Sequence, residues 1–139
     1  YLHDTVVPRR RLPEVLAKVY EIADRHDLLV LNVFHAGDGN LHPLLVFDKR
    51  VPGTMERVHL AGEEIVAISV AAGGALSGEH GIGLEKRDYM PLMFGPDDLA
   101  AQELLRDAFD PLHLANPSKV LPSPATCGDV HSVPEGAWI

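Results

Sequence analysis

Leu12, Val15, Leu16, Val19, Ile22 and Ala23 recur at the three- and four-residue spacing of one helical face. They predict an amphipathic helix behind Pro8, with Pro13 in its first turn, where a missing backbone N–H breaks no helical bond. The segment before it, Tyr1 to Val7, reads as the end of a strand. After it, Leu28 to Phe34 is β-branched and apolar and predicts a buried strand. Gly37-Asp38-Gly39-Asn40 is a turn signal, and Leu41 to Phe47 predicts a second strand, so the pair reads as a hairpin. Val51-Pro52-Gly53 reads as a loop, with Thr54 as a candidate N-cap. Met55, Val58, Gly62, Ile65, Val66 and Ser69 then mark a second long helix ending before Gly73-Gly74, and Ala75 to Ser77 predicts a short strand.

The order strand, helix, strand, strand, helix, strand is the βαββαβ pattern of an α+β, ferredoxin-like split βαβ domain. A short helix is expected near Lys86 and another from about Asp97 to Phe109, opened by Pro96-Asp97-Asp98. From Pro122 the chain is rich in proline and glycine and lacks periodicity. The expected organisation is therefore a domain over 1–122, with C-terminal helices, and an irregular tail over 123–139.

Composition narrows the partners. The 139 residues are 46% hydrophobic and 23% charged, with a net charge of −8, which fits a globular domain and argues against nucleic acid, whose phosphates call for clustered Lys and Arg. No apolar run approaches the ~20 residues of a membrane span, and no signal peptide opens the sequence. A single cysteine, Cys127, cannot form an internal disulfide, which points to a reducing compartment, the cytoplasm. The absent initiator Met and the apolar opening segment suggest a fragment of a longer protein. An edge strand parted from its neighbour is a pairing hazard, so self-association is expected.

The chemistry concentrates in two glycine-rich stretches, His35 to His42 and Ser77 to Gly81. His35 ends one hairpin strand and His42 begins the next. Facing positions across a hairpin have Cβ atoms about 5 Å apart, near enough for two imidazoles to share an ion at ~2.1 Å from each nitrogen. Glu79 follows the last predicted strand of the same sheet and offers a third ligand. Two imidazoles and a carboxylate suit a divalent metal such as zinc, manganese or iron, with a coordination position left open. His80, beside the carboxylate, is free to move a proton. Among Arg9, Arg10 and Arg11, Arg9 is the candidate for holding a substrate carboxylate, since Arg binds carboxylates bidentately. Asn40, in the hairpin turn, is a second candidate substrate contact.

The stretches His35-Ala36-Gly37-Asp38-Gly39-Asn40-Leu41-His42-Pro43 and Gly73-Gly74-Ala75-Leu76-Ser77-Gly78-Glu79-His80-Gly81-Ile82-Gly83, followed by Asp110-Pro111 and Asn116-Pro117-Ser118-Lys119, resemble the C-terminal domain of FAD-linked 2-hydroxyacid oxidases and dehydrogenases. Within that family the likeness is greatest to the FAD-linked subunit of glycolate oxidase, and it runs from about Asp4 to Pro122. The resemblance implies an FAD-dependent enzyme that oxidises a small 2-hydroxy acid, of glycolate or D-lactate type, to a 2-oxo acid. It implies that His35, His42 and Glu79 hold the metal, that His80 takes the proton of the substrate hydroxyl, and that Asn116 and Lys119 lie near the flavin. It also implies that other subunits of an oxidase complex are potential partners. Ser118 stands where the family usually has glycine. Leu44 stands where relatives acting on dicarboxylates carry a polar residue, which points to a smaller substrate. No flavin-binding domain is recognisable in these residues, so the chain by itself is expected to be redox-inactive.

Two other readings use the same residues. In a metal-dependent hydrolase, a metal-bound water would be activated with His80 or Asp38 as base. In a non-catalytic metal-binding or assembly module, the ion would be closed off by a fourth protein ligand.

Overall fold

The computed structural model describes residues 1–122, which fall into two compact units, Tyr1–Gly81 and the residues from Ile82 onward. The irregular tail expected over 123–139, with Cys127, lies outside the described residues.

The first unit runs β1 (Thr5–Val6), α1 (Leu12–Arg25), β2 (Leu29–His35), β3 (Asn40–Val46) and α2 (Thr54–Ala71). Its sheet is antiparallel in the order β1-β3-β2. An isolated bridge from Ala75 to Val6 adds a fourth position outside β1. Each βαβ unit is therefore split by a strand of the other, and the α+β, split βαβ expectation is borne out. The fourth strand is shorter than the predicted Ala75 to Ser77. Past the bridge, the N–H groups of Gly78, Glu79 and His80 turn to the Asp4 carboxylate, so they are lost to a strand ladder.

The core lies between one face of the sheet and the two helices. α1 contributes Val15, Val19, Ile22 and Ala23, and α2 contributes Val58, Ala61 and Ile65; the sheet side supplies Val7, Val30, Leu41 and Leu45. Removing each such Val, Leu or Ile from water contributes roughly 1.5–3 kcal/mol, which is what fixes the sheet against the helices. The bond from Leu28 N to Ala23 O turns the chain out of α1 into β2. The N-cap of α2 lies one residue earlier than expected: Gly53 takes that place, and Thr54 is the first helical residue, its hydroxyl accepting from Arg57.

The strand expected to be buried is covered on one face only. Val30 is 8% exposed, while its neighbours Leu29 and Leu31 are 61% and 53% exposed. A largely apolar run does not say whether one face or both are covered. The open face carries Leu29, Leu31, Val33 and Val46, with His42 opposite Val33 and the His35–Asn40 pair in the next row toward the turn, by the alternation of the β2–β3 register.

In the second unit, a 3-10 helix spans Arg87–Leu92 and α3 spans Pro96–Phe109. Asp98 accepts the Gly95 N–H and closes the α3 N-terminus. Asp110 receives the N–H groups of Ala115 and Leu114, which hold its carboxyl below the usual range. The Arg106 guanidinium donates to the carbonyls of Ala115, Asn116 and Lys119. Ser118 takes φ of 63° within this loop, a left-handed conformation that costs a residue with a Cβ roughly 1–2 kcal/mol. Among the described residues, no helix is long and apolar enough to cross a membrane.

Candidate active site

Two local structures bring the site together, the β2–β3 hairpin and the loop Ser77–Gly81. Ladder partners in the hairpin are His35 with Asn40 and Val33 with His42. The two histidines are thus diagonal neighbours on the open face and do not face each other directly, because β3 begins at Asn40, two residues before His42. Their rings still meet edge to face, with centroids 5.4 Å apart, since diagonal positions stay within reach of long side chains.

The Ser77–Gly81 loop solves a second geometric problem. Adjacent residues of an extended strand point to opposite sides, yet Glu79 and His80 both reach the histidines. Glu79 Oε1 lies 2.9 Å from His42 Nε2, 3.5 Å from His35 Nε2 and 3.6 Å from His80 Nε2. The His80 ring stacks on His42 with centroids 5.0 Å apart and an interplanar angle of 17°. The chain turns at Gly81, whose φ of 85° lies in the left-handed region that favours glycine. Gly78 is needed for room: a Cβ there would lie 2.5 Å from Asn40 Oδ1 and 2.6 Å from its Cγ.

His35, His42 and Glu79 each offer one ligand atom, and these atoms all lie within 4.8 Å of one another. Ligand atoms at ~2.1 Å from a shared ion in tetrahedral array stand roughly 3.4 Å apart, so the donor set fits a divalent metal. His42 is prepared for that role. Its Nδ1 faces the His3 carbonyl at 3.3 Å. The His3 carbonyl, an acceptor, would hold a proton on Nδ1 and leave Nε2 to an ion shared with Glu79. His42 is 5% exposed, whereas the side chains of His35, Glu79 and His80 are 54%, 49% and 45% exposed. The centre thus has one buried anchor and an accessible mouth.

The other residues singled out in the sequence are placed differently. Asn40 is 5% exposed, its Nδ2 3.4 Å from His42 Nε2, beneath Gly78; it packs the site from below. Arg9 is exposed in a 3-10 turn ahead of α1, where Arg11 pairs with Glu14 at 3.2 Å. Asn116 and Lys119 belong to the second unit, in the loop wrapped on Arg106. Sequence reasoning missed Asp4 and the His3 carbonyl. The available signal was a charged residue inside an apolar strand segment, which is seldom fully buried without partners.

A family model described as FAD linked oxidases, C-terminal domain, matches residues 1–120. The chain is 43% identical to glycolate oxidase subunit GlcD of Escherichia coli strain K12 over 129 residues, which is 93% of this chain and 26% of that protein. It is 37% identical to the subunit of the same name from Bacillus subtilis, over 86% of this chain and 25% of the relative. It is 36% identical to a probable mitochondrial D-lactate dehydrogenase of Danio rerio, over 87% of this chain and 24% of the relative. The chain therefore spans about a quarter of the length of the curated relatives it matches.

Proposed function

We propose that this chain, which belongs to the family of FAD-linked oxidase C-terminal domains, supplies the substrate and metal centre of an enzyme that oxidises a small 2-hydroxy acid, of glycolate or D-lactate type, to a 2-oxo acid. The observation that carries the reading is the meeting of His35, His42 and Glu79 ligand atoms beside an accessible His80. The flavin would be held mainly by the part of the full-length protein outside these residues, since the relatives are about four times as long.

A bound flavin would supply the hydride acceptor, and a divalent metal would supply polarisation of the substrate hydroxyl or a hold on its carboxylate. The residues of this chain do the rest. His35 and His42 at the end of the hairpin and Glu79 from the Ser77–Gly81 loop would hold the ion. His80 Nε2, 3.6 Å from Glu79 Oε1, is placed to take the proton of a substrate hydroxyl. Stacking on His42 holds the imidazole in place. Arg9 and Asn40 are proposed substrate contacts, and Asn116 and Lys119 proposed flavin contacts. Leu44, on the same open face as the histidines, supports a substrate without a second carboxylate. The apolar face of Leu29, Leu31, Val33 and Val46 suits coverage by the rest of the full-length protein and, in the isolated chain, by a second copy. The lone Cys127 supports a cytoplasmic setting.

The test separates the roles of adjacent residues. Glu79→Ala leaves two imidazoles and should weaken zinc or manganese binding to the chain by more than a hundredfold, beyond the 10–100-fold typical of outer-shell changes. His80→Ala should leave that affinity within a few-fold. In the full-length flavoenzyme it should lower turnover of glycolate and D-lactate about 10²–10⁴-fold, the usual loss for a general base. Equal loss of metal in the two variants would show His80 to be a ligand and not the base.

A further inference from the structure

We propose that Asp4 is the positioning residue of this centre: its buried carboxylate organises the Ser77–Gly81 loop so that Glu79 and His80 are turned together toward His35 and His42. The inference rests on the reading of His35, His42 and Glu79 as metal ligands and adds a residue that has no ligand role of its own.

Register places Asp4 beside the site. β1 pairs with β3 so that Thr5 faces Leu41, and the same register pairs Leu2 with Leu44; Asp4 therefore falls opposite His42. The Val6–Ala75 bridge is also antiparallel, and continuing it sets Ser77 opposite Asp4. Ser77, Asp4 and His42 thus form one row across three neighbouring chain segments, on the open face of the sheet. Yet Asp4 is only 1% exposed, because the loop after Ser77 folds across it.

What the loop offers Asp4 is unusual. Oδ2 accepts from the N–H groups of Gly78 at 3.0 Å, Glu79 at 3.2 Å and His80 at 3.0 Å, and from the Ser77 hydroxyl. Oδ1 takes a further contact from Gly78 N at 3.1 Å and lies 4.0 Å from His42 Nδ1. Ser77 Oγ in turn accepts the Gly81 N–H at 2.7 Å, closing the loop. Three successive amides pointing at one acceptor form an anion-binding concavity. Here the anion site is filled from within by a side chain of the same unit. With those amides turned inward onto Asp4, the side chains of Glu79 and His80 are directed outward on the side of the histidines. Remove the acceptor and three successive N–H groups lose their protein partner. The loop is then free to relax toward an extended path, on which Glu79 and His80 diverge.

The experiment is zinc titration calorimetry on the 139-residue chain carrying Asp4→Asn, Glu79→Ala or both changes. Asn keeps the shape but presents an NH₂ group to donors. Asp4→Asn is expected to weaken zinc binding about 10–100-fold, the range for groups that orient a ligand. It should weaken the Glu79→Ala chain no further, because Asp4 acts through Glu79. A general structural role would lower affinity equally in both backgrounds, and that result overturns the proposal, as does an Asp4→Asn chain that binds zinc as the parent does. If Asp4→Asn does not fold, Ser77→Ala removes one partner of Asp4 and the clasp on Gly81, and should shift affinity the same way by a smaller factor; unchanged affinity counts against the proposal. Amide exchange distinguishes failure of the metal reading. A parent chain that binds no zinc sinks that reading alone, while Gly78, Glu79 and His80 amides slow in the parent and fast in Asp4→Asn sustain the positioning claim. Equal exchange in both chains overturns it.

Discussion

Substitution of Gly78 by alanine isolates the close contact on which the site depends. The added methyl would sit 2.5 Å from Asn40 Oδ1, 2.6 Å from Cγ and 2.8 Å from Nδ2. Asn40 has little freedom to retreat, being 5% exposed and set against His42. The accessible loop moves instead, carrying Glu79 and His80 off their positions. Overpacking of this kind costs about 1–3 kcal/mol. If that cost falls on the metal-competent geometry, zinc affinity drops between roughly fivefold and a hundredfold, at 1.4 kcal/mol per tenfold. Gly37→Ala, in the other glycine-rich stretch, is the control, because its Cβ would meet nothing within 4 Å. Calorimetric zinc titration of both variants, with a thermal melt to confirm folding, reads the difference. Asn40→Ala in the Gly78→Ala background should recover much of the loss, since the clash is with that side chain. The reasoning fails if Gly78→Ala binds zinc like the parent, or if Gly37→Ala loses as much.

Two other expectations concern the scaffold and its surface. Glu64 of α2 accepts from His26 Nε2 at 2.7 Å and pairs with Arg25, and the His26 bond followed by the Arg25 interaction holds its carboxyl below the ordinary 4.5. A lowered folded-state value means stability that is present above about 4.5 and lost as pH falls through the folded value. Glu64→Gln should therefore cost at most about 1 kcal/mol at pH 7, given 41% side-chain exposure, with the difference vanishing in acid; urea melts at the two pH values check it, and a pH-independent difference counts against the pairing. The exposed Leu29, Leu31, Val33 and Val46 face should drive self-association of the isolated chain, which Leu31→Lys would reduce; light scattering that shows only monomer for the parent at high concentration contradicts this.

Periodicity carried most of the secondary structure because the first unit has one core and each element shows it one face. The repeat of Val15, Val19 and Ile22 predicts α1 because those residues meet the sheet. The site's donors were likewise legible as residue types, since imidazoles and a carboxylate in glycine-rich backbone are written locally. Their arrangement was not. Whether Leu29 and Leu31 are covered depends on what packs against the far face of β2, which a largely apolar run does not encode. That His35 and His42 meet diagonally depends on β3 starting at Asn40, a matter of hairpin register. Asp4 stands alone in the sequence, 73 residues from Ser77. Only the antiparallel neighbours of β1 bring the two into one row, and a carboxylate buried at that point draws successive amides inward and turns Glu79 and His80 to the same side. Residue identities set which groups were available; the sheet's pairing set which of them meet, because contacts between distant segments follow register and not local preference.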